Sequence, residues 1–257
     1  MNQLFNFSRF GRLFRKHTTE HAGGYLLATG VLLGGIGLVL GFVAYTSWEP
    51  MAPDMQGVVF VLGLLAAGAF FTSTVFAMFG EKKQAAAALL LPASHWEKYL
   101  VGWLYSLPLF LAVYVGCFFL IDRLVLQLSS HGKPFEMVQL FDGERHLYFS
   151  LVAYAAWNAV FLWGSIFFAK QHFVRTAFGV LLAVVVVAQL NTQVMEHLVG
   201  RELRQVLPFA GILLREGPEA QLVGLAPAQY RWFALVPLGF MLLAWTAAYR
   251  RVTEKQL

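Results

Sequence analysis

Residues 176–195 read TAFGVLLAVVVVAQLNTQVM, twenty positions without an Asp, Glu, Lys, Arg or His. A helix of that length rises about 30 Å, which matches the hydrocarbon thickness of a bilayer. Its centre, Val180–Ala188, is a continuous apolar run. A strand of a membrane barrel would alternate apolar and polar residues instead, so the segment reads as a membrane-spanning helix. Five more charge-free runs occur, at 22–48, 55–80, 99–121, 147–169 and 232–249. All but the last reach the usual spanning length of about 20 residues, and the last falls within the accepted range of about 17–25. The pattern predicts an all-α integral membrane protein with six transmembrane helices, a single domain over residues 1–257.

Composition agrees. Hydrophobic residues make up 58% of the chain and charged residues only 13%, with a mean hydropathy of +0.62. A soluble domain carries about 25% charged residues, so a water-facing globule is excluded. Cys117 is the single cysteine, which rules out an internal disulfide. A net charge of +5 would elsewhere suggest nucleic acid. In so apolar a chain the basic residues mark cytoplasmic loops or face anionic lipid, and no nucleic-acid partner is expected. The run 22–48 is longer than the apolar region of a cleavable signal peptide, about 7–15 residues, and is taken as a permanent span.

The basic residues also set orientation. With the N-terminus cytoplasmic, the inside segments hold 12 of the 19 Lys and Arg residues and four acids, while the outside segments hold seven basic and ten acidic residues. Six spans return the C-terminus to the cytoplasm. The expected location is a bacterial inner (plasma) membrane with both termini inside.

Between the spans, four segments carry information. Residues 2–17, NQLFNFSRFGRLFRKH, interleave Leu4, Phe5, Phe7, Phe10, Leu13 and Phe14 with Arg9, Arg12, Arg15 and Lys16. That pattern predicts an amphipathic helix lying in the lipid interface. The cytoplasmic link at 81–98 contains strong helix formers at Gln84–Leu91, a break at Pro92, and Ser94-His95-Trp96-Glu97 in the form of a capping box. It predicts a short cytoplasmic helix followed by a fresh start into the third span. Residues 122–146 read as a polar outer loop. In the outer segment 196–231, Val206–Leu214 is too short to span and too apolar for a free loop, which predicts a re-entrant or interfacial piece.

Chemistry is sparse. Every charged residue and every histidine falls outside the six runs, which argues against a proton-driven pump. The polar groups inside them, Thr72, Ser73, Thr74, Asn158, Gln189 and Asn191, either line a pathway or hydrogen-bond between helices. His17-Thr-Thr-Glu20-His21 matches the H-x-x-E-H pattern of inverted zinc peptidases, but no third ligand or catalytic domain accompanies it. These residues are read as interfacial polar groups, and no metal, catalytic or cofactor site is assigned. No P-loop occurs, so the chain has no such cradle for ATP. Gly30/Gly34 and Gly37/Gly41 have the small-xxx-small spacing that lets helices approach closely.

The order of elements, and Glu81, Leu89-Leu90, Pro92, Ser94 and Glu97 in the link, resemble the membrane-spanning permease subunit of a type-2 (ABC-2-like) ABC transporter. The chain departs from the usual family pattern in carrying Ala85–Ala88 before the leucine pair and Leu91 before the proline. The resemblance implies that 81–98 is a coupling segment beneath the membrane. Glu81, Lys82, Lys83, Leu89, Leu90, Pro92, Ser94, Trp96 and Glu97 would form the contact with a separate ATPase subunit and its rigid mount. It further implies that ATP and magnesium are bound by that partner and not by this chain, which would not itself be an enzyme. A second permease subunit, identical or similar, would complete an export path, and 196–231 would supply re-entrant helices that cap it. The alternative from a different class is a non-catalytic membrane scaffold or assembly protein.

Overall fold

The computed structural model describes residues 5–47, 50–75, 94–130, 132–142, 147–168, 171–200, 212–216, 219–223 and 235–254. Within them the chain forms six helices: α1 (Phe7–Thr46), α2 (Pro53–Val75), α3 (His95–Ser129), α4 (Phe149–Phe167), α5 (His172–Val199) and α6 (Leu235–Glu254). The first five are long and apolar enough to cross a membrane. In α6 the apolar stretch ends at Arg250 and Arg251, and residues 232–234 of the predicted sixth run lie outside the described residues.

Three boundaries differ from the sequence reading. Residues 7–17 are helical, but as the first turns of α1 and not as a separate interfacial element. Asn6 caps the helix, its side chain accepting from the Ser8 and Arg9 amides, and no break follows before Thr46. Forty residues rise about 60 Å, twice the hydrocarbon thickness, so the basic first turns project beyond the span. Second, α3 does not stop at the charges Asp122 and Arg123 but continues to Ser129. Leu, Gln and Arg are good helix formers, and the buried spacing Phe118, Asp122, Leu126 keeps one face against the bundle. The first third of the predicted 122–146 loop is therefore helix. Third, α5 extends to Val199, where Gly200 (φ 70°) closes it in the left-handed conformation that glycine adopts without strain. Beyond it, Ile212–Glu216 and Glu219–Val223 pair as an antiparallel hairpin. Of the predicted re-entrant piece, residues 206–211 lie outside the described residues and Ile212–Leu214 belong to this strand pair.

The two poles of the bundle are distinct. At one, Phe10, Leu13 and Phe14 of α1 pack on a buried cluster containing Val75, Tyr99, Val101, Tyr105, Leu162, Ile166, Ala248 and Val252. Arg251 lies over the Phe167 ring, 5.5 Å from its centroid. The N-terminal segment, the two ends of the 76–93 link, the end of α4 and the end of α6 thus share one pole, which we call the basic pole. At the other, Gln56 ties the chain together. Its Nε2 donates to the Met51 and Glu136 carbonyls, each at 2.9 Å, and its Oε1 accepts from the Val138 amide at 2.7 Å. Helix directions therefore alternate as the charge-free runs predict.

Because Gln56 is fully buried and satisfied through three bonds, Gln56→Ala is expected to release residues 132–142. Hydrogen exchange at the Val138 amide should accelerate by at least tenfold, while amides of the α3–α4 core stay protected.

Candidate coupling site and the buried polar network

The site predicted from sequence begins at Ser94, because Glu81, Lys82, Lys83, Leu89, Leu90 and Pro92 lie outside the described residues. The capping box forms as the sequence spacing predicts. The Glu97 amide donates to Ser94 Oγ at 3.3 Å, and the Ser94 amide donates to Glu97 Oε2 at 2.8 Å. Glu97 does more than cap. Arg9 grips it with both ends of its guanidinium, Nε to Oε2 at 2.7 Å and Nη2 to Oε1 at 2.8 Å, and the Asn6 amide donates to Oε1 at 2.9 Å. Both oxygens of a fully buried carboxylate are thereby saturated. Ionised donors and bidentate geometry make these the strong kind of hydrogen bond. Glu97 is thus committed to joining the start of α3 to the start of α1.

Trp96 points the other way. It is 53% exposed, and one face of its indole stacks on Tyr249 of α6 at 4.1 Å. Tyr99 donates to the Trp245 carbonyl at 3.1 Å and meets Tyr249 edge-on at 5.7 Å. Of the predicted residues described, Ser94 and Glu97 are a buried mount and Trp96 is the surface element. The Arg9 partner was not among the predicted residues: nothing local in Arg9 distinguishes it from Arg12 or Arg15.

The histidine motif does not converge. His17 and His21 stack at 4.4 Å, but His17 Nε2 is bonded to the Tyr25 hydroxyl at 2.7 Å and Glu20 turns to Lys16 at 3.7 Å. Among the described residues no group of three metal-ligating side chains comes together. The cluster instead closes the α1–α3 interface, where Tyr25 and Tyr105 stack at 5.1 Å.

Deeper in the bundle, Pro108 reshapes α3. Lacking an N–H, it cannot continue the regular ladder, and Tyr105–Leu109 form a π turn in which the Phe110 amide reaches back to the Tyr105 carbonyl. The Ser106 carbonyl, so released, accepts from Tyr154 Oη at 2.7 Å and from Asn158 Nδ2 at 3.1 Å. Asn158 Nδ2 also donates to Thr72 Oγ1 at 2.9 Å. One network therefore ties α2, α3 and α4 together. Ser73 and Thr74 bond carbonyls of their own helix, at Ala69 and Phe71, and Gln189 is exposed. For Thr72 and Asn158 the interhelical alternative is the one realised.

One charged residue departs from the expectation that all of them lie outside the bundle helices. With α3 extended to Ser129, Asp122 lies inside a bundle helix and is fully buried, so the bundle does hold an ionisable group. Asp122 closes the third charge-free run, yet the spacing Phe118–Asp122–Leu126 carries the buried face of the helix through it.

Comparison with family models, curated proteins and solved structures yields no match.

Proposed function

We propose that the chain is the permease subunit of a type-2 ABC exporter: six membrane spans, both termini and the 81–98 link in the cytoplasm, and energy supplied by a separate ATPase. The carrying observation is the convergence at the basic pole. Val75 before the link and Tyr99 after it lie in one buried cluster, together with α1, α4 and α6 residues. A displacement of the link by a docked motor would act on all of these helices at once, because packed interiors transmit strain. Glu97, held by Arg9 and by two backbone amides, provides the rigid mount that such a transfer needs. Exposed Trp96, stacked on Tyr249, extends the partner-facing surface toward α6. In the same reading α1 faces a second permease subunit, since among the described residues nothing from another element stands within 4 Å of where a Cβ would sit at Gly30 or Gly34, which leaves a flat strip open to close approach.

The test is co-purification. The intact chain, extracted in mild detergent from its own host, is expected to bring down a nucleotide-binding protein, and the pair Leu89→Asp and Leu90→Asp to lose it. Retention of that partner by the double variant would overturn the assignment of the contact. Cysteine labelling that placed residues 84–92 on the exterior would overturn the function as a whole.

A further inference from the structure

Asp122 is fully buried, yet neither carboxylate oxygen has a hydrogen-bond partner among the described residues. Its neighbours one turn away on the same face, Phe118 and Leu126, are themselves fully buried. They belong to an apolar cluster with Ile36 and Leu40 of α1 and Phe60 and Leu64 of α2. No cation faces it. In α1, which packs along α3, residues 22–46 contain no Asp, Glu, Lys, Arg or His, and their only titratable side chains are Tyr25 and Tyr45. At the start of α2 the one charged residue is Asp54, which is exposed, and Gln56 is satisfied by backbone groups. In the loop packed at this pole, Lys133 and Glu136 are exposed and Asp142 has its own interactions. On α3 itself the adjacent Arg123 is exposed, about 100° round the helix, and Cys117 is a buried free cysteine.

A carboxylate stripped of water with no donor and no counter-charge is among the costliest groups a fold can hold, whereas the neutral acid forfeits only one hydrogen bond. We infer that Asp122 is a proton-binding site: in this packing it carries a proton, and it can release it only when the α3 end pulls away from α1 and α2 to admit water. Proton occupancy and the packing of the pole opposite the basic one are then two faces of one equilibrium. Ionisable groups buried among membrane helices serve this kind of relay or switch. Proton binding at Asp122 is independent of the proposed ATPase partnership. It requires only that α3 be buried at residue 122.

Infrared difference spectroscopy tests it on the full chain in lipid vesicles. The spectrum of the wild type minus that of Asp122→Asn at pH 5 is expected to show one neutral carboxyl band, although exposed aspartates are already mostly ionised at that pH. Carboxylate bands alone in that difference would overturn the inference. A second readout does not depend on band assignment. If the folded chain holds this proton and the unfolded chain does not, the unfolding constant of the wild type relative to Asp122→Asn should rise several-fold for each pH unit between roughly 4 and 6. Parallel pH profiles for the two proteins would equally overturn it.

Discussion

Glu97→Ala is expected to be among the most damaging single substitutions in this chain, lowering unfolding stability in detergent by about 3 kcal/mol. The methyl group cannot accept from the Asn6 and Ser94 amides, both of which donate to the carboxylate at 2.8–2.9 Å. It also leaves the Arg9 guanidinium without its counter-charge. Unsatisfied buried donors and an uncompensated charge each carry a penalty larger than the value of the bond lost. Glu97→Gln should fall between, since one side-chain oxygen still accepts but the bidentate grip is gone. Arg9→Ala should cost less than Glu97→Ala, because the two backbone amides still satisfy the carboxylate. The double variant should then cost clearly less than the sum of the two, as expected for residues in one network. Strict additivity would show that the Arg9–Glu97 pair is an accident of surface geometry and that the start of α3 is held in some other way. Under the proposed function the same Glu97→Ala chain, if rescued by lipid, should lose transport more completely than it loses its ATPase partner, because the mount and not the contact is broken.

What could be read in advance was local, and what could not was distant. Ser94 and Glu97 are three residues apart, so the capping box was visible as a spacing, and both of its bonds are present. Arg9 and Glu97 are separated by 88 residues, and no periodicity links them. Pro108 lies inside the third charge-free run, which the sequence reading treats as one uninterrupted span. That the freed Ser106 carbonyl would be taken by Tyr154 and Asn158 depends on how α3 and α4 register against each other. Charge-free runs located the helices but cut α1, α3 and α5 short, since helices end where hydrogen bonding and packing end, not at the first charge. At Asp122 this mattered most. A residue that marks a boundary on a hydropathy scan is, on the buried face of a continuing helix, an interior group. The basic pole was foreshadowed by the Lys and Arg distribution. Its closure through Trp96, Tyr99 and Tyr249 was not, because aromatic residues near span ends are equally at home in the lipid interface.

Gly68→Ala should produce a loss of about 2–3 kcal/mol through a different mechanism, overpacking. A Cβ at Gly68 would collide with Cε2 of Tyr154, and it would stand 2.9 Å from that ring's Cζ and 3.1 Å from Cε1 of Phe110. Neither ring can yield. The Tyr154 hydroxyl is fixed on the Ser106 carbonyl, and its ring lies 5.5 Å from Phe110, which itself stacks on Phe71 at 5.2 Å. Glycine here is a packing requirement, since it lets α2 approach α4 closely enough for Asn158 to reach Thr72. The discriminating control is Gly116→Ala on α3. Nothing lies within 4 Å of that position, so alanine should be neutral or should stabilise the helix by up to about 1 kcal/mol. A second control tests the assigned cause. Tyr154→Leu alone should destabilise, by lost packing and the loss of one of the two hydrogen bonds to the Ser106 carbonyl, yet in the Gly68→Ala background it should cost markedly less because it removes the collision. Equal costs of Tyr154→Leu in both backgrounds would mean that the α2–α4 approach is not set by this glycine. The Tyr154 ring would then not couple the π turn at Pro108 to the packing of α2, and Asn158, bonded to both the Ser106 carbonyl and Thr72, would be left as that link.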